Sequence, residues 1–327
     1  MLHQPGWSTA DSPFHLGERR LQESAGVRER IESIGRRVIR NYMPDEHRAF
    51  FAALPFLVIG TLDEHGQPWA SIITGEPGFV SAPDGTTLQV RARPQPNDPL
   101  ARNLTVGADI GLLGIDFVTR RRNRTNGLIS KVAEDGFNIT VKQSFGNCPK
   151  YIQARDRMPG LGESSAGRVA AGSWLGAAER ELIAQADTFF IASALGSLHQ
   201  EANQGIDASH RGGKPGFVRI DDEHTLIVPD FAGNNAFNTL GNLLLNPRCG
   251  LLFLDFATGT TVQLAADAEV IVQSPEIARF AGAQRVLRFH VRESLRCERI
   301  VPLRWRFRDY SPFLDGLGSG SEPSTKA

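Results

Sequence analysis

One stretch of the chain, residues 205–255, concentrates the residue types that bind an anion. Arg211 offers a planar fork of donors that matches a phosphate, and Lys214 adds a point charge. The neighbouring residues Gly212 and Gly213 allow backbone N–H groups to converge on one point. Further polar side chains in the stretch belong to Ser209, His210, Asn234, Asn238, Thr239 and Asn242. The pattern predicts a phosphate site, and a Gly-Lys-Pro surface turn is the alternative.

The segments around these residues predict how the site is positioned. Residues 225–228 and 249–256 are apolar and rich in Leu, Ile, Val and Phe, which is typical of strands. A turn at residues 229–233 separates the first of these strands from the polar cluster. We therefore expect the site at the end of a sheet, with short polar side chains at its rim.

The chain contains an internal repeat. Residues 71–80 (SIITGEPGFV) align with residues 209–218 (SHRGGKPGFV), and matching positions continue in the same order for roughly fifty residues. A predicted helix before Phe56 corresponds to another at residues 174–186. The repeat indicates two copies of one strand-rich domain.

The predicted fold class is mainly β with flanking helices. We expect two tandem six-stranded Greek-key barrels that pack on each other as a pseudo-dimer. The expected parts are an N-terminal helical extension at 1–43, a first barrel at 44–156, a Gly/Ser-rich linker at 157–172, a second barrel at 173–310 and a disordered tail at 311–327.

The two copies differ where an anion would bind. Where the second copy has Arg211 and Lys214, the first has Ile73 and Glu76. A carboxylate repels a phosphate, so only the second copy is expected to hold the anion. The first copy carries the basic run Arg120–Arg124 in a hairpin position. We interpret this run as a solvated turn, with a patch for an acidic partner or a nucleotide tail as the alternative.

A second irregular segment, residues 144–153, follows the last strand of the first copy. Its Gly, Asn, Cys and Pro residues predict a tight loop. Phe145 or Tyr151 could cover a planar ligand. Alternatively, the segment is a structural loop around a buried Cys148.

Composition excludes several classes of protein. The 36 basic and 36 acidic residues balance, which argues against a nucleic-acid partner. No apolar run is long enough to span a membrane, and no signal peptide is visible, so a cytoplasmic location is expected. The three cysteines form no close pair, which disfavours disulfides and a zinc site. No metal is expected.

Motifs of common catalytic sites are also missing. The sequence has no P-loop, no Rossmann glycine pattern, no H-E-x-x-H and no G-x-S-x-G. His210 could serve as a base or as a hydrogen-bond donor. The lack of obvious acid–base residues suits a protein whose reactive part is a cofactor.

Several of these segments resemble the pyridoxamine 5′-phosphate oxidase-like, FMN-binding split-barrel family. The similarity rests on residues 207–218, 229–234, 238–242, 246–252 and, in the first copy, 145–152. It spans about residues 14–310 and is strongest to the branch that pairs two split barrels. Asn238-Thr239 stands where the oxidase has an Arg-Lys pair, so pyridoxamine phosphate is not the expected substrate.

The resemblance implies FMN at the interface between the barrels. Its phosphate would contact Ser209, His210, Arg211, Gly212, Lys214, Asn234, Asn238, Thr239 and Asn242. The isoalloxazine would be approached by Gln143, Asn147, Cys148 and Tyr151, and Trp305 would close the site.

The function implied is that of an FMN-dependent oxidoreductase of unknown substrate. Its partners would be a small-molecule substrate or electron donor and a separate reductase, and a homodimer is an open alternative to a monomer. A non-catalytic flavin or haem carrier is the second interpretation. A repurposed barrel that acts through Arg120–Arg124 is the third.

Overall fold

The computed structural model describes residues 6–159 and 167–318. Its helices flank two sheets, and their buried side chains, such as Phe51 and Ile183, join the two cores. They are α1 (Leu16–Ser24), α2 (Arg28–Val38), α3 (Asp45–Ala53), α4 (Leu100–Asn103), α5 (Ala177–Gln185) and α6 (Asn238–Leu245). In the described part of the chain, no helix combines the length and apolar character that crossing a membrane requires.

The first half of the chain forms one antiparallel sheet of seven strands. They are β1 (Phe56–Leu62), β2 (Pro68–Thr74), β3 (Val80–Ser81), β4 (Thr87–Val90), β5 (Asp109–Asp116), β6 (Arg121–Ala133) and β7 (Gly136–Gly146). Their order across the sheet is β2-β1-β5-β6-β7-β4-β3.

The strands of the second half repeat this order. Strands β8 (Ala154–Arg157) and β9 (Val169–Gly172) lie between the two halves in sequence, and β17 (Trp305–Asp309) lies near the end of the chain. The repeating strands are β10 (Thr188–Leu195), β11 (Gly205–Gly212), β12 (Arg219–Ile220), β13 (Thr225–Phe231), β14 (Arg248–Leu254), β15 (Thr261–Ile271) and β16 (Ala283–Cys297). Their order, β11-β10-β14-β15-β16-β13-β12, matches that of the first sheet strand for strand. Six strands per copy were expected, and the two-residue strands β3 and β12 account for the extra one.

The ends of the predicted linker and the predicted tail are structured. Strand β9 pairs with β16 and gives the second sheet its eighth strand, and β8 pairs with β17. Residues 160–166 lie outside the described part. Ser311 and Leu314 are buried, and the backbone N–H of Ser311 donates to the Gln153 side chain at 2.8 Å. The prediction of disorder is therefore wrong for residues 311–318, while residues 319–327 lie outside the described part.

The two sheets pack through small residues at matching positions. One apolar cluster contains Phe56 and Ile72 of the first sheet together with Phe190 and Ile206 of the second. A Cβ atom on Gly111 would lie 2.3 Å from the carbonyl oxygen of Ile206. Gly250, which the repeat aligns with Gly111, would meet Pro68 O at 2.4 Å in the same way. Glycine at both positions allows the two backbones to approach closely.

Helix α1 is fixed at its start and along its side. The His15 side chain accepts the Gly17 N–H, and Glu18 accepts the His15 N–H, so the two side chains form a capping box. Gly17 then lies against Gly241 of α6, where a Cβ atom would be 2.1 Å from the Gly241 carbonyl oxygen. This glycine contact brings α1 onto the helix that follows β13.

Replacing Gly17 by Ala should displace α1 from α6. The added methyl group has no space, so we expect the free energy of unfolding to fall by about 1–3 kcal/mol and trypsin to cleave faster after Arg19 and Arg20. Urea denaturation and limited proteolysis measure both effects. Gly172→Ala is the control, because its Cβ would meet nothing closer than 3.4 Å. Equal stability of the two variants would contradict this packing.

Candidate functional site

A cleft with a volume of about 120 Å³ opens where the two halves of the chain meet. One wall comes from the start of β6 and the loop after β7. The other comes from the end of β11, the turn after β13 and the start of α6. The cleft therefore needs both copies of the repeat.

The side chains around the cleft give it a strong positive charge. Five are basic and one is a carboxylate, Asp230. The basic ones are Arg122, Arg124, Lys150, Arg211 and Arg285. A concave surface with this excess of cations favours an anionic ligand.

Asp230 holds two of these guanidinium groups in place. It is 5% exposed, and its oxygens lie 2.7 Å from Nη1 of Arg211 and 3.2 Å from Nη1 of Arg285. Nε of Arg211 remains buried and has no partner among the described residues. The pairing orients Arg211 and leaves it a free donor.

Arg124 ties the first sheet to β11. Its guanidinium lies 3.1 Å from the Asp207 carboxylate, donates to the Ala208 carbonyl at 3.1 Å and contacts the Ser209 hydroxyl. The Thr239 hydroxyl donates to the same Ser209 oxygen at 3.0 Å. Because its charge is balanced by Asp207, Arg124 mainly holds the wall of the cleft together.

Arg122 differs, because no carboxylate in the described residues lies within ion-pair distance of it. Its Nε donates to the Cys148 carbonyl at 2.6 Å and its Nη1 to the His210 ring at 3.1 Å. Burial, with the nearby charges of Arg124 and Arg211, lowers the pKa of Arg122 to about 10. The group stays charged at neutral pH, so the cleft contains a half-buried cation that has no counter-ion among the described residues.

His210 is set as a neutral hydrogen-bond donor. Its Nδ1 faces the Arg122 guanidinium and must accept, which leaves the proton on Nε2. Burial and the charges of Arg122, Arg155 and Arg211 hold the pKa of His210 well below its usual range. Nε2 is buried without a partner among the described residues. His210 is therefore a donor, and the interpretation of it as a base is not supported.

Most of the residues predicted for the site do line the cleft. Ten of the fourteen do so: Ser209, His210, Arg211, Gly212, Asn234, Asn238, Thr239, Asn147, Cys148 and Tyr151. The repeat alignment and the polar cluster after β13 were thus sufficient to place most of one wall.

Lys214 and Trp305 lie elsewhere, so their predicted roles are wrong. Lys214 is exposed, and its ammonium lies 6.0 Å from the Tyr310 ring. Trp305 is in the core between the sheets, edge-on to Phe56 at 5.4 Å and to Phe256 at 5.5 Å. Neither side chain borders the cleft: Lys214 lies in the turn after β11, and Trp305 packs among the aromatic rings of the core.

Asn242 and Gln143 are buried beside the cleft rather than in it, which corrects both predictions. The Asn242 amide donates to the Ser193 carbonyl at 3.2 Å and to Asp207 at 3.0 Å. Gln143 donates to the Ala202 carbonyl at 2.6 Å. Their amides satisfy backbone and carboxylate groups under the wall, so they are not free for a ligand.

The two glycines at the end of β11 serve packing rather than anion binding. The Gly213 N–H donates to the Asp187 carbonyl at 3.0 Å, so it does not point at a ligand. A Cβ atom on Gly212 would lie 2.0 Å from the Tyr151 carbonyl oxygen. Glycine at 212 lets the loop after β7 approach β11, which corrects the expectation of converging N–H groups.

Sequence reasoning did not name Arg122, Arg124 or Arg285 as site residues, although a patch for a nucleotide tail was the alternative for the run Arg120–Arg124. The run Arg121–Arg124 starts strand β6 instead of lying in a solvated turn, and Arg124 is 3% exposed. The available signal was the alternation of side chains between the two faces of a strand, because Arg122 and Arg124 face the cleft whereas Arg121 is exposed. Arg285 pairs with Asp230 across 55 residues, and no local pattern reveals that pairing.

The equivalent position in the first copy has only a small cavity, whose lining includes one arginine, Arg93, and the Asp98 carboxyl. Gln263 pairs with Leu252 as Arg124 pairs with Leu113, so Gln263 takes the place of Arg124. Its amide donates to Ser71 at 3.3 Å and to the buried Asp98 carboxyl at 3.2 Å. A carboxyl group here would repel a phosphate, which agrees with a single anion site in the second copy.

Asp98→Asn should reduce the pH dependence of stability. Burial raises the pKa of Asp98 from 3.8 to about 6. The folded state therefore keeps a proton that the unfolded state loses first, so Asp98's contribution to stability is complete below about pH 4 and disappears as the pH rises to about 6. Urea denaturation between pH 4 and 7 should show the free energy of unfolding falling by about 2–3 kcal/mol more in the wild type than in the variant. Parallel curves would contradict this assignment.

The described residues include no group of three or more His, Cys, Asp and Glu side chains placed to hold a metal ion. The three cysteines are free, and burial raises the pKa of Cys297 to about 11. The chemistry of the cleft is therefore that of arginines, an imidazole and amides.

Comparison with known proteins adds one match in sequence. Residues 43–173 match the family model of pyridoxamine 5′-phosphate oxidase. This range contains the first sheet and the cleft residues Arg122 and Tyr151, and it supports the resemblance seen in the sequence. No curated protein matches the chain.

Three of the solved structures that match the chain each cover a little over a third of it. HupZ of group A Streptococcus is 15% identical with a TM-score of 0.26, over 34% of this chain and 84% of that one. An FMN-binding protein of Syntrophomonas wolfei is 13% identical with a TM-score of 0.26, over 36% and 86%. A FAD-binding protein of Mesorhizobium loti is 13% identical with a TM-score of 0.28, over 39% and 96%.

Proposed function

We propose that the cleft binds FMN at the junction of two split barrels and that the protein is an FMN-dependent oxidoreductase. The observation that carries the proposal is Arg122, a half-buried guanidinium with no carboxylate partner in the described chain, which faces the cleft beside Arg211. A partly desolvated charge of this kind is stabilised when a ligand supplies the opposite charge. The match of residues 43–173 to an oxidase family supports FMN as that ligand.

The donors of the cleft fit a phosphate group. Arg122 and Arg211 supply guanidinium N–H groups, and His210 supplies an Nε2–H that has no partner among the described residues. All of them are donors, which is what a dianionic group of acceptor oxygens requires. These three side chains would hold the phosphate.

The loop after β7 would cover the bound cofactor. The Tyr151 hydroxyl donates to the Ala232 carbonyl at 2.8 Å, and the Lys150 ammonium donates to the same oxygen at 3.3 Å. These contacts fasten the loop to the turn after β13 and close the cleft between the two halves. Bound FMN would supply hydride or single-electron transfer, while the protein orients the ring and limits the access of water.

The geometry does not favour pyridoxamine phosphate as the substrate. Asn238 donates to Glu18 of α1, and Thr239 donates to Ser209, so both side chains are engaged inside the protein. The substrate would instead be a small molecule that reaches the ring from the solvent side. A separate reductase or a soluble electron donor would reduce the flavin, and a homodimer is compatible with this arrangement.

The position of His210 favours a second candidate, a flavin carrier without turnover. Its basic nitrogen is occupied by Arg122, so this imidazole cannot accept a proton from a substrate. Reduction of the FMN-loaded protein by NADH or NADPH, followed by re-oxidation in air at a multiple-turnover rate, would support the oxidoreductase. A flavin that stays oxidised in the presence of NADH and of NADPH would favour the carrier.

Arg122→Ala should weaken FMN binding by about 10- to 150-fold, which corresponds to the loss of about 1.5–3 kcal/mol from one charge-assisted contact. Quenching of FMN fluorescence during titration of the apoprotein measures the dissociation constant. Arg121→Ala is the matched control, because Arg121 is the exposed neighbour whose guanidinium lies 5.3 Å from the Phe50 ring. Similar affinities for the two variants would exclude Arg122 from the phosphate site.

One FMN should bind per chain, because the equivalent site combines Ile73 of the first copy with Thr261 of the second, where the cleft has Arg211 and Arg122. Native mass spectrometry of the reconstituted protein gives the stoichiometry and, after denaturation, the identity of the flavin. Two flavins per chain would contradict the asymmetry between the copies.

A further inference from the structure

A second cavity lies beneath α5, and none of its lining residues belongs to the cleft. It measures about 770 Å³ and is bounded by α5, the end of β14 and strand β17. Asp187 forms part of its wall, and the Asp187 carbonyl accepts the Gly213 N–H from the end of β11. The cavity therefore adjoins the cleft without opening into it.

Arg155 carries an unused donor and lines both this cavity and a smaller neighbouring one. The residue is 5% exposed, and its Nη2 lies 2.5 and 2.6 Å from the two oxygens of Asp187. Its Nη1 is buried and has no hydrogen-bond partner in the described part of the chain. A buried donor without a partner destabilises a folded protein, and an acceptor oxygen from a ligand would remove that penalty.

Aromatic side chains form the wall around this donor. The Arg155 guanidinium stacks 3.9 Å from the Phe256 ring centre, and Trp305 packs against the same ring. Phe307 and Tyr310 also line the cavity, with ring centres 4.7 Å apart, and they are 44% and 39% exposed. Large rings that stay this exposed are suited to stacking against another ring.

The charges of the cavity are mostly paired. Arg155 is matched by Asp187, and Arg296 is matched by Glu179 and Glu298. The cavity thus lacks the excess of cations that marks the cleft. It does not suit a phosphate-bearing ligand, and it suits a ring compound with at most one negative charge.

We propose that this cavity is a second binding site for a planar aromatic molecule that carries one carbonyl or carboxylate oxygen. The oxygen accepts from Nη1 of Arg155, and the ring stacks on the wall formed by Phe256, Trp305, Phe307 and Tyr310. The site does not depend on flavin binding, since its residues and those of the cleft form separate sets.

Three naphthalene probes test the need for an acceptor oxygen. They are 2-naphthoate, 2-naphthamide and 2-methylnaphthalene, which share one ring system and differ in the group that would reach Arg155. Calorimetric titration of the full-length protein should show 2-naphthoate and 2-naphthamide binding within about fivefold of each other. Both should bind at least about tenfold more tightly than 2-methylnaphthalene, which cannot satisfy the donor.

Phe307→Ala tests the aromatic wall and should weaken 2-naphthoate at least about fivefold. Phe313→Ala is the matched control, because Phe313 is an equally exposed phenylalanine of the same segment that does not line the cavity. Arg155→Lys keeps the charge opposite Asp187 and should reduce the preference for 2-naphthamide over 2-methylnaphthalene. Should this variant fail to fold, the Phe307 and Phe313 pair still decides the question.

Two outcomes would overturn the proposal. One is equal binding of all three probes, which would indicate a non-specific apolar surface. The other is equal loss of affinity in Phe307→Ala and Phe313→Ala, which would place the probes outside this cavity.

Discussion

The half-buried guanidinium of Arg122, which has no carboxylate partner among the described residues, is the constraint on which the cleft depends. Removing a cation from water is costly unless an opposite charge replaces its hydration. Arg124 has Asp207, and Arg211 shares Asp230 with Arg285. Arg122 has only the Cys148 carbonyl and the ring and carbonyl of His210 among the described residues. The fold holds it in this position because β6 runs past the end of β11, and a bound anion would supply the missing charge.

The two sheets share one strand order, but this constraint arises at only one of the two equivalent positions. Both sheets have the same strand order, and matching glycines, Gly111 and Gly250, bring the copies together. Register pairs Arg122 with Ile115 and Thr261 with Leu254, so the same position carries a cation in one copy and a hydroxyl in the other. The scaffold is shared, while the chemistry depends on a few side chains at the ends of four strands.

Local patterns in the sequence predicted what depends on neighbours along the chain. The strands, the first helices and the repeat follow from apolar runs and turn residues, and Arg211 and the polar cluster after β13 were recognised in the same way. Arg122 and Arg285 were missed because their places depend on strand register and on a contact across 55 residues. Asn242 and Gln143 have suitable side chains, but partners beneath the wall occupy them. The structure of residues 311–318 depends on Gln153, which is distant in sequence.

The affinity of the apoprotein for FMN relative to riboflavin tests the central claim most directly. The two ligands share the ring and the ribityl chain and differ only in the phosphate that would meet Arg122, Arg211 and His210. The account predicts that FMN binds at least about 100-fold more tightly, and that the ratio falls towards one when Arg122 and Arg211 are both replaced by Ala. Equal affinities of the wild-type protein for FMN and riboflavin would contradict it.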